Sequence, residues 1–285
     1  MRSISLRSPA KLNLFLKVIN KRADGYYNLE TLFERIDLCD DLEFILNRQK
    51  MIRVFCDHPD VPTDPGNLVY QAAQLLKDDF ALEDGVDIII KKKIPVAAGL
   101  AGGSSNAATT LLGLNHLWKL SLTQRELLMY GRILGSDVPF FLYNCSWAVG
   151  TERGDKIKKL ALSVKLWHIL VVPSIKVYTP KVFSALNLEL TKINEGVNIL
   201  TRSLRKNNIN ALGSLLRNDL EKTIVKLVPD LSATKDQLKG LNTKGVCFSG
   251  SGPALFGLTE NQKQAEELKG ILQRQYANVF AVRTF

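Results

Sequence analysis

The stretch Pro95-Val96-Ala97-Ala98-Gly99-Leu100-Ala101-Gly102-Gly103-Ser104-Ser105, running on into Asn106-Ala107-Ala108, is built almost wholly of small side chains. It lies between a strand-like and a helix-like segment. Small residues let a backbone approach an anion closely, and the amides that open the following helix point at it with the helix dipole behind them. The chemistry that suits this pattern is phosphate binding. No Gly-Lys-Ser/Thr follows, so it is not a Walker loop, and it lacks a GxGxxG dinucleotide fingerprint. A tight strand-to-helix turn is the plainer alternative, but the run is longer than a turn requires. A second small-residue turn, Ser249-Gly250-Ser251-Gly252, sits between apolar runs much later in the chain. Alone it reads equally well as an ordinary hairpin turn. Two such loops in different halves suggest a cleft between them.

The elements that must position these loops alternate along the first half. Ser3 to Ile19 reads as extended, and Asp41 to Asn47 with Met51 to Asp57 as a hairpin around Arg48-Gln49-Lys50. Asn67 to Phe80 carries Leu68, Ala72, Leu75 and Leu76 in a helical rhythm, and Val86 to Ile94 returns to strand. A helix is expected from Ser104, with Ser104 and Ser105 as caps and Ala107, Leu111, Leu114 and Trp118 on one face. Leu122 to Leu134 is a second helix, opened by Thr123 and Glu126 as a capping box and closed by Gly135. Gly150 to Asp155 is polar and turn-rich. Beyond it, Leu166 to Pro173 and Val279 to Phe285 read as strands, with Val246 to Thr259 as two strands around the second glycine turn. Helices fit Pro180 to Leu186, Lys192 to Lys206, Ile209 to Leu216, Pro229 to Gly240 and Asn261 to Tyr276. The reading is α+β, in two halves dividing near residue 155: residues 1–155 and 156–285.

With 285 residues, 46% hydrophobic and 23% charged, the chain has the make-up of a folded globular protein. The longest apolar stretch, Leu166 to Pro173, is strand-sized and contains His168, so no membrane span is expected. The N-terminus lacks the apolar core of a secretory signal, and a cytoplasmic location follows. Cys39, Cys56, Cys145 and Cys247 are far apart, as are His58, His116 and His168, which speaks against a zinc site or a disulfide framework. A net charge of +10 raises attraction to polyanions, nucleic acid or nucleotide alike. The basic runs Lys91 to Lys93, Lys156 to Lys159 and Arg202 to Lys206 are short and dispersed, as solvated faces are, rather than a binding stripe.

Three segments, Ser8-Pro9-Ala10-Lys11-Leu12-Asn13-Leu14, Pro95 to Ala108, and Ser249-Gly250-Ser251-Gly252-Pro253, resemble the three signature motifs of the GHMP kinases, in the right order. Within that superfamily, Arg22-Ala23-Asp24-Gly25-Tyr26 with Leu29-Glu30-Thr31, and Leu134-Gly135-Ser136-Asp137-Val138-Pro139-Phe140-Phe141, resemble the diphosphocytidyl-methylerythritol kinases. The likeness spans nearly the whole chain. It implies a ribosomal-S5-like first half that binds ATP and a ferredoxin-like second half on the substrate side. The implied reaction transfers the γ-phosphoryl group of ATP to the 2-hydroxyl of a methylerythritol moiety carried on cytidine diphosphate, in the non-mevalonate isoprenoid route, with no nucleic-acid, membrane or obligate protein partner.

The same resemblance implies residue roles. Asp137 falls on the general base and Lys11 on the catalytic lysine, which would hold Asp137 ionised and offset charge on the transferred group. Pro95 to Ser105 would bind ATP, with the amides of Gly99, Gly102 and Gly103 on the polyphosphate and Ser104 or Ser105 reaching phosphate oxygens or Mg²⁺. Tyr26 and Phe183 would stack the cytosine, with Tyr178 lining the same pocket and Asn13 and Tyr27 on the substrate. Without the resemblance, Asp137 reads as a turn acid before Pro139, Lys11 as a surface lysine, the serines as caps and each aromatic as core. Tyr27 stands where the family has His, so side-chain recognition of the base edge is lost there or remade by the phenol or the backbone. Alanines at 97, 98 and 101, where relatives have glycine, require φ below zero or tolerated strain. Two alternatives remain: a GHMP kinase for homoserine or a mevalonate derivative, and a non-catalytic RNA-binding protein with an S5-like fold.

Overall fold

A computed structural model of the protein describes residues 2–187 and 196–285. Contacts divide the chain into two compact units that are interleaved in sequence. The first holds Met1–Ala10, Leu38–Val96 and Ala101–Asn144; the second holds Lys11–Asp37, Ala97–Leu100 and Cys145–Phe285. A single cut near residue 155 does not describe this division. Two long strands, β1 (Ser3–Lys21) and β2 (Tyr27–Asn47), contribute residues to both.

In the first unit the end of β2 pairs antiparallel with β4 (Gly85–Lys91), from Asp41 opposite Lys91 to Asn47 opposite Gly85. The strand β3 (Ile52–Cys56) lies parallel to the other edge of β4, from Ile52 opposite Val86 to Cys56 opposite Ile90. The expected hairpin of β2 and β3 is therefore not formed. The turn after Asn47 was legible, but β4 brings Val86, Ile88 and Ile90, each at most 1% exposed, and takes the central place. Its Asp87 also receives Arg53 at 2.5 and 2.8 Å and Asn47 at 2.6 Å.

Four helices complete this unit: α1 (Leu68–Asp79), α2 (Gly102–Leu117), α3 (Gln124–Leu134) and α4 (Val138–Leu142). Asn67 caps α1 by accepting the Val69 amide, and Thr123 and Glu126 form the expected capping box of α3. The buried faces of α1 (Val69, Ala72, Ala73, Leu76) and α2 (Ala107, Ala108, Leu111, Leu114) supply the core.

In the second unit the start of β2 pairs antiparallel with β5 (Trp147–Glu152), which turns through Arg153 to Asp155 into β6 (Lys156–Lys159). Gly150 to Asp155 is thus half strand rather than a turn throughout, because Trp147 and Ala148 are fully buried and the ladder continues to Glu152. β1 pairs in parallel with the two-residue β8 (Arg217–Asn218).

The remaining strands are β7 (Trp167–Val172), β9 (Gly245–Phe248), β10 (Leu255–Thr259) and β11 (Asn278–Arg283), in an antiparallel sheet of order β11-β7-β10-β9. Helices α9 (Asp230–Gly240) and α10 (Gln262–Leu272) pack on it. Helical crossovers from β7 to β9 and from β10 to β11 make the ferredoxin-like βαββαβ arrangement. Helices α5 (Thr179–Ser184), α6 (Val197–Arg205), α7 (Ile209–Leu215) and α8 (Glu221–Leu227) fill the connection after β7. The helix expected from Lys192 begins at Val197 in the described chain; residues 192–195 lie outside the described residues. Among the described residues no helix is long and apolar enough to cross a membrane.

Candidate active site

In the second unit Lys11 is only 3% exposed and therefore not a surface lysine. Its ammonium donates to the Oδ1 of Asn13 and, at 3.0 Å, to the carbonyl of Gly99, and it lies 5.7 Å from the centroid of the Phe33 ring. Asn13, 2% exposed, gives its other amide end to Thr31 Oγ1 at 2.8 Å, and Thr31 donates onward to the Phe15 carbonyl at 2.7 Å. Asn13 thus faces Lys11 and orients the ammonium. Burying a cation requires such acceptors, since an uncompensated ammonium in a dry interior is strongly disfavoured.

The Ala97–Leu100 part of the first glycine-rich loop and the Ser249 turn meet inside this same unit. Ser249 Oγ donates to the Gly99 carbonyl at 2.9 Å, and the Ala254 amide reaches the Ala98 carbonyl at 3.3 Å. Gly99 has φ +76°, and a Cβ there would lie 2.1 Å from the Ser249 carbonyl oxygen, so both backbone and space require glycine. Gly250, at φ +54°, brings its Cα close enough that a Cβ would sit 3.4 Å from the Lys11 ammonium. Asn218, on β8, holds this turn by donating to the carbonyls of Phe248 at 2.9 Å and Gly250 at 2.7 Å. Nothing in the polar run around Asn218 marks it in the sequence.

In the first unit the loop enters α2. The helix opens at Gly102, two residues before the expected start, and Ala101 occupies its N-cap position in the left-handed region at φ +54° without a side-chain cap. The amides of Gly102, Gly103 and Ser104 therefore stand in the first turn, where a helix offers no carbonyl to receive them. Ala97 is also left-handed at φ +55°. Both alanines adopt the strained alternative rather than φ below zero, at about 1–2 kcal/mol each. Ser105 is fully buried and accepts the Ser8 hydroxyl at 2.8 Å, whereas Ser104 is half-buried in the first turn. Neither serine caps the helix.

Behind the loop, Asp40 is fully buried and gathers four donors. The amides of Lys93 and Ile94 reach it at 2.8 and 2.9 Å, Lys92 Nζ at 2.5 Å and Asn106 Nδ2 at 2.9 Å. The entry and exit of the phosphate-type loop are thereby tied to one carboxylate. Asp137 takes the N-cap position of α4, half-buried, with no capping bond from its side chain. The buried Val138, Pro139, Phe140 and Phe141 anchor the backbone that follows it.

The aromatic residues are in the second unit. Tyr27 and Phe183 pack with centroids 5.5 Å apart and planes at 31°, and the Tyr27 hydroxyl donates to the Phe183 carbonyl at 3.1 Å. The phenol is thus engaged with the backbone of α5. Tyr27→Phe, which keeps the ring and deletes this bond, is expected to lower unfolding stability by about 1 kcal/mol in a urea titration. Thr179, at the start of α5, shares a 2.7 Å hydrogen bond with Ser251, joining the helix that carries Phe183 to the glycine turn. Tyr26 and Tyr178 are 55% and 57% exposed. The turn that carries Tyr26 is tied by Asp24. Desolvation raises that carboxyl, but the Tyr26 amide, Arg22 and Arg153 outweigh it and hold it below the usual carboxylate range.

Two family models match the chain: the GHMP kinases N terminal domain over residues 67–145 and the GHMP kinases C terminal domain over residues 200–278. A 4-diphosphocytidyl-2-C-methyl-D-erythritol kinase of Geobacillus kaustophilus (strain HTA426) is 42% identical over 282 residues, covering 98% of this chain and 96% of its own length. The Bacillus subtilis (strain 168) protein of the same name is 40% identical over 277 residues, covering 97% and 95%. A crystal structure of 4-(cytidine 5'-diphospho)-2C-methyl-D-erythritol kinase superposes with a TM-score of 0.84 at 32% identity, covering 98% of both chains. A homoserine kinase from Cytophaga hutchinsonii shares the fold, with a TM-score of 0.75 at 19% identity.

Proposed function

The chain belongs to the 4-diphosphocytidyl-2-C-methyl-D-erythritol kinases of the GHMP kinase superfamily, and from that premise we propose how its own residues carry the reaction. It is an ATP-dependent phosphotransferase that phosphorylates the 2-hydroxyl of 4-diphosphocytidyl-2-C-methyl-D-erythritol in the non-mevalonate isoprenoid route, releasing ADP. The observation that carries the reading is the buried Lys11 ammonium, held by Asn13 and Gly99 against the Gly250 turn.

The acceptor hydroxyl oxygen forms the new bond to the γ-phosphorus as the bond to the β–γ bridging oxygen breaks, and Asp137 takes the hydroxyl proton. Lys11 is a fixed positive charge for the phosphoryl oxygens, already oriented and needing no rearrangement as charge develops. The first-turn amides of α2 at Gly102, Gly103 and Ser104 hold the polyphosphate. Tyr26 and Phe183 take the cytosine, with Tyr178 beside them, and the enzyme works in the cytoplasm on a small-molecule substrate.

Among the described residues no cluster of three or more His, Cys, Asp or Glu is placed to hold a metal. The half-buried Ser104 hydroxyl in the first turn of α2 fits Mg²⁺ arriving on the nucleotide, since this ion keeps several waters and takes few protein ligands. Ser104 is the residue that would meet it, and bound Mg²⁺ would neutralise charge on the β- and γ-phosphate oxygens. Ser105 is the more buried of the two serines and accepts the Ser8 hydroxyl, so Ser104 is the one assigned that role. Ser104→Ala is expected to raise the KM for Mg-ATP about tenfold, the worth of one charge-assisted contact. Ser105→Ala should instead cost about 1 kcal/mol of stability with KM little changed, as melting and initial-rate assays would read.

The test is ADP release by the purified chain with Mg-ATP and the cytidine diphosphate methylerythritol conjugate, run beside homoserine, mevalonate and 5-phosphomevalonate. Turnover with the conjugate alone supports the reading. Turnover confined to another alcohol removes the substrate assignment, and inactivity on all four removes the catalytic one. The relatives favour neither the homoserine or mevalonate alternative nor an RNA-binding role.

A further inference from the structure

Arg153 lies in the turn between β5 and β6, outside every motif that marked the chain as a kinase. Its guanidinium carbon stands 5.2 Å from the centroid of the Tyr26 ring, within the range where a cation is attracted to an aromatic face. The same guanidinium is held within its own turn by Asp155, two residues on, with Nη2 3.2 Å from Oδ2. Asp155 is 9% exposed and the Arg153 side chain 29%, so the arginine is a partly enclosed strut rather than a free surface charge. The turn that carries the ring is fixed as well. Asp24 Oδ1 accepts the Tyr26 amide at 3.1 Å, Arg22 Nε reaches both Asp24 oxygens at 3.1 and 3.2 Å, and the Arg22 amide reaches the Tyr26 carbonyl at 2.8 Å. Gly25, at φ +86°, allows that tight return.

A tyrosine on a fixed backbone still rotates about its side-chain bonds, and a ligand that stacks on it must arrest that motion. Here one side of the ring is already covered by a cation that is itself anchored, while the residue as a whole remains 55% exposed. We propose that Arg153 is a positioning residue for base recognition, backing Tyr26 so that the ring's remaining face receives the pyrimidine of a cytidylyl substrate. This rests on the functional reading above, which gives Tyr26 to the base, and adds how this chain holds that ring ready. Arg153 does not touch the ligand. Its effect passes through Tyr26 and is independent of the ligand's phosphates.

The experiment is calorimetric titration of the full chain with cytidine and with cytidine 5'-diphosphate, for the parent, Arg153→Ala, Tyr26→Leu and the double variant. Arg153→Ala is expected to weaken both ligands by the same factor, about threefold, as loss of an exposed cation–aromatic contact implies. In the Tyr26→Leu background the arginine change should add nothing. Arg153→Lys, which restores a cation without the planar fork, should recover part of the loss, and the KM for the conjugate should follow the same order with ATP binding unmoved. Three results would overturn the proposal: no change in Arg153→Ala, a loss confined to the diphosphate, which would mean direct phosphate contact, or an undiminished loss in the Tyr26→Leu background. If the parent binds neither cytidine ligand, the functional reading fails and takes this inference with it. If the parent binds and Arg153→Ala is silent, this inference fails alone.

Discussion

Asp137→Asn is expected to lower kcat by between about 10² and 10⁴, the usual contribution of a general base, while ATP and the cytidylyl substrate bind as before. The substitution keeps the size and polarity of the side chain and removes its capacity to take a proton at neutral pH. The structure makes it a clean test because the side chain does little for the fold. Asp137 is the N-cap residue of α4, yet its carboxylate makes no capping bond. The anchoring of this segment comes instead from Val138, Phe140 and Phe141, at most 5% exposed. An acid retained for local structure at this position would cap the helix, as Asn67 and Asn261 cap theirs. Initial rates of ADP release, nucleotide titration and a thermal melt read the three consequences separately. A variant that keeps more than a tenth of parental turnover would remove Asp137 from the role of base. Lys11 is a poorer first target: its removal leaves Asn13 Oδ1 and the Gly99 carbonyl without this donor in a buried place, so lost activity and lost structure would come together.

The parts of the molecule legible in the sequence are those whose cause is local. The capping box of Thr123 and Glu126, the Asn67 start of α1 and the strands on either side of Ser249 to Pro253 are each set by neighbours within a few residues. The pairing of β4 between β2 and β3 is not, because turn residues after Asn47 fix only where the chain turns and the Asp87–Arg53 and Asp87–Asn47 contacts fix what it meets. The helix α2 starts at Gly102 and not at Ser104 for a related reason. Serine is a good cap, but Gly99 is pressed against Ser249, and the chain leaves that contact through a left-handed Ala101 and enters the helix two residues early. Site residues divide the same way. Lys11, Asp137 and the loop are visible because motifs carry them, whereas Asn218, Thr31 and Arg153 act through partners on average more than a dozen residues away and have no local pattern of their own.

Asp40 is another residue without a sequence signature, and its replacement should produce a large stability change. Asp40→Ala is expected to lower the unfolding free energy by about 3–5 kcal/mol, as breaking a buried ion pair does, because Lys92 would keep its ammonium in a place where its side chain is 4% exposed. The loss is not confined to the ion pair. The amides of Lys93 and Ile94 and the Asn106 side chain also end on this carboxylate, and a buried donor left without an acceptor costs about 1–3 kcal/mol. Because Lys93 and Ile94 lead into Pro95 and Asn106 lies in the first turns of α2, the same change should loosen the loop and raise the KM for ATP more than that for the cytidylyl substrate. A paired variant separates the two contributions. Asp40→Leu with Lys92→Met removes both charges together, and the part of the loss due to the stranded ammonium should be recovered in urea titration. The part due to the Lys93 and Ile94 amides should remain, and with it the raised KM for ATP. A double variant as stable as the parent would mean that those two amides find other acceptors and that the carboxylate serves only its lysine.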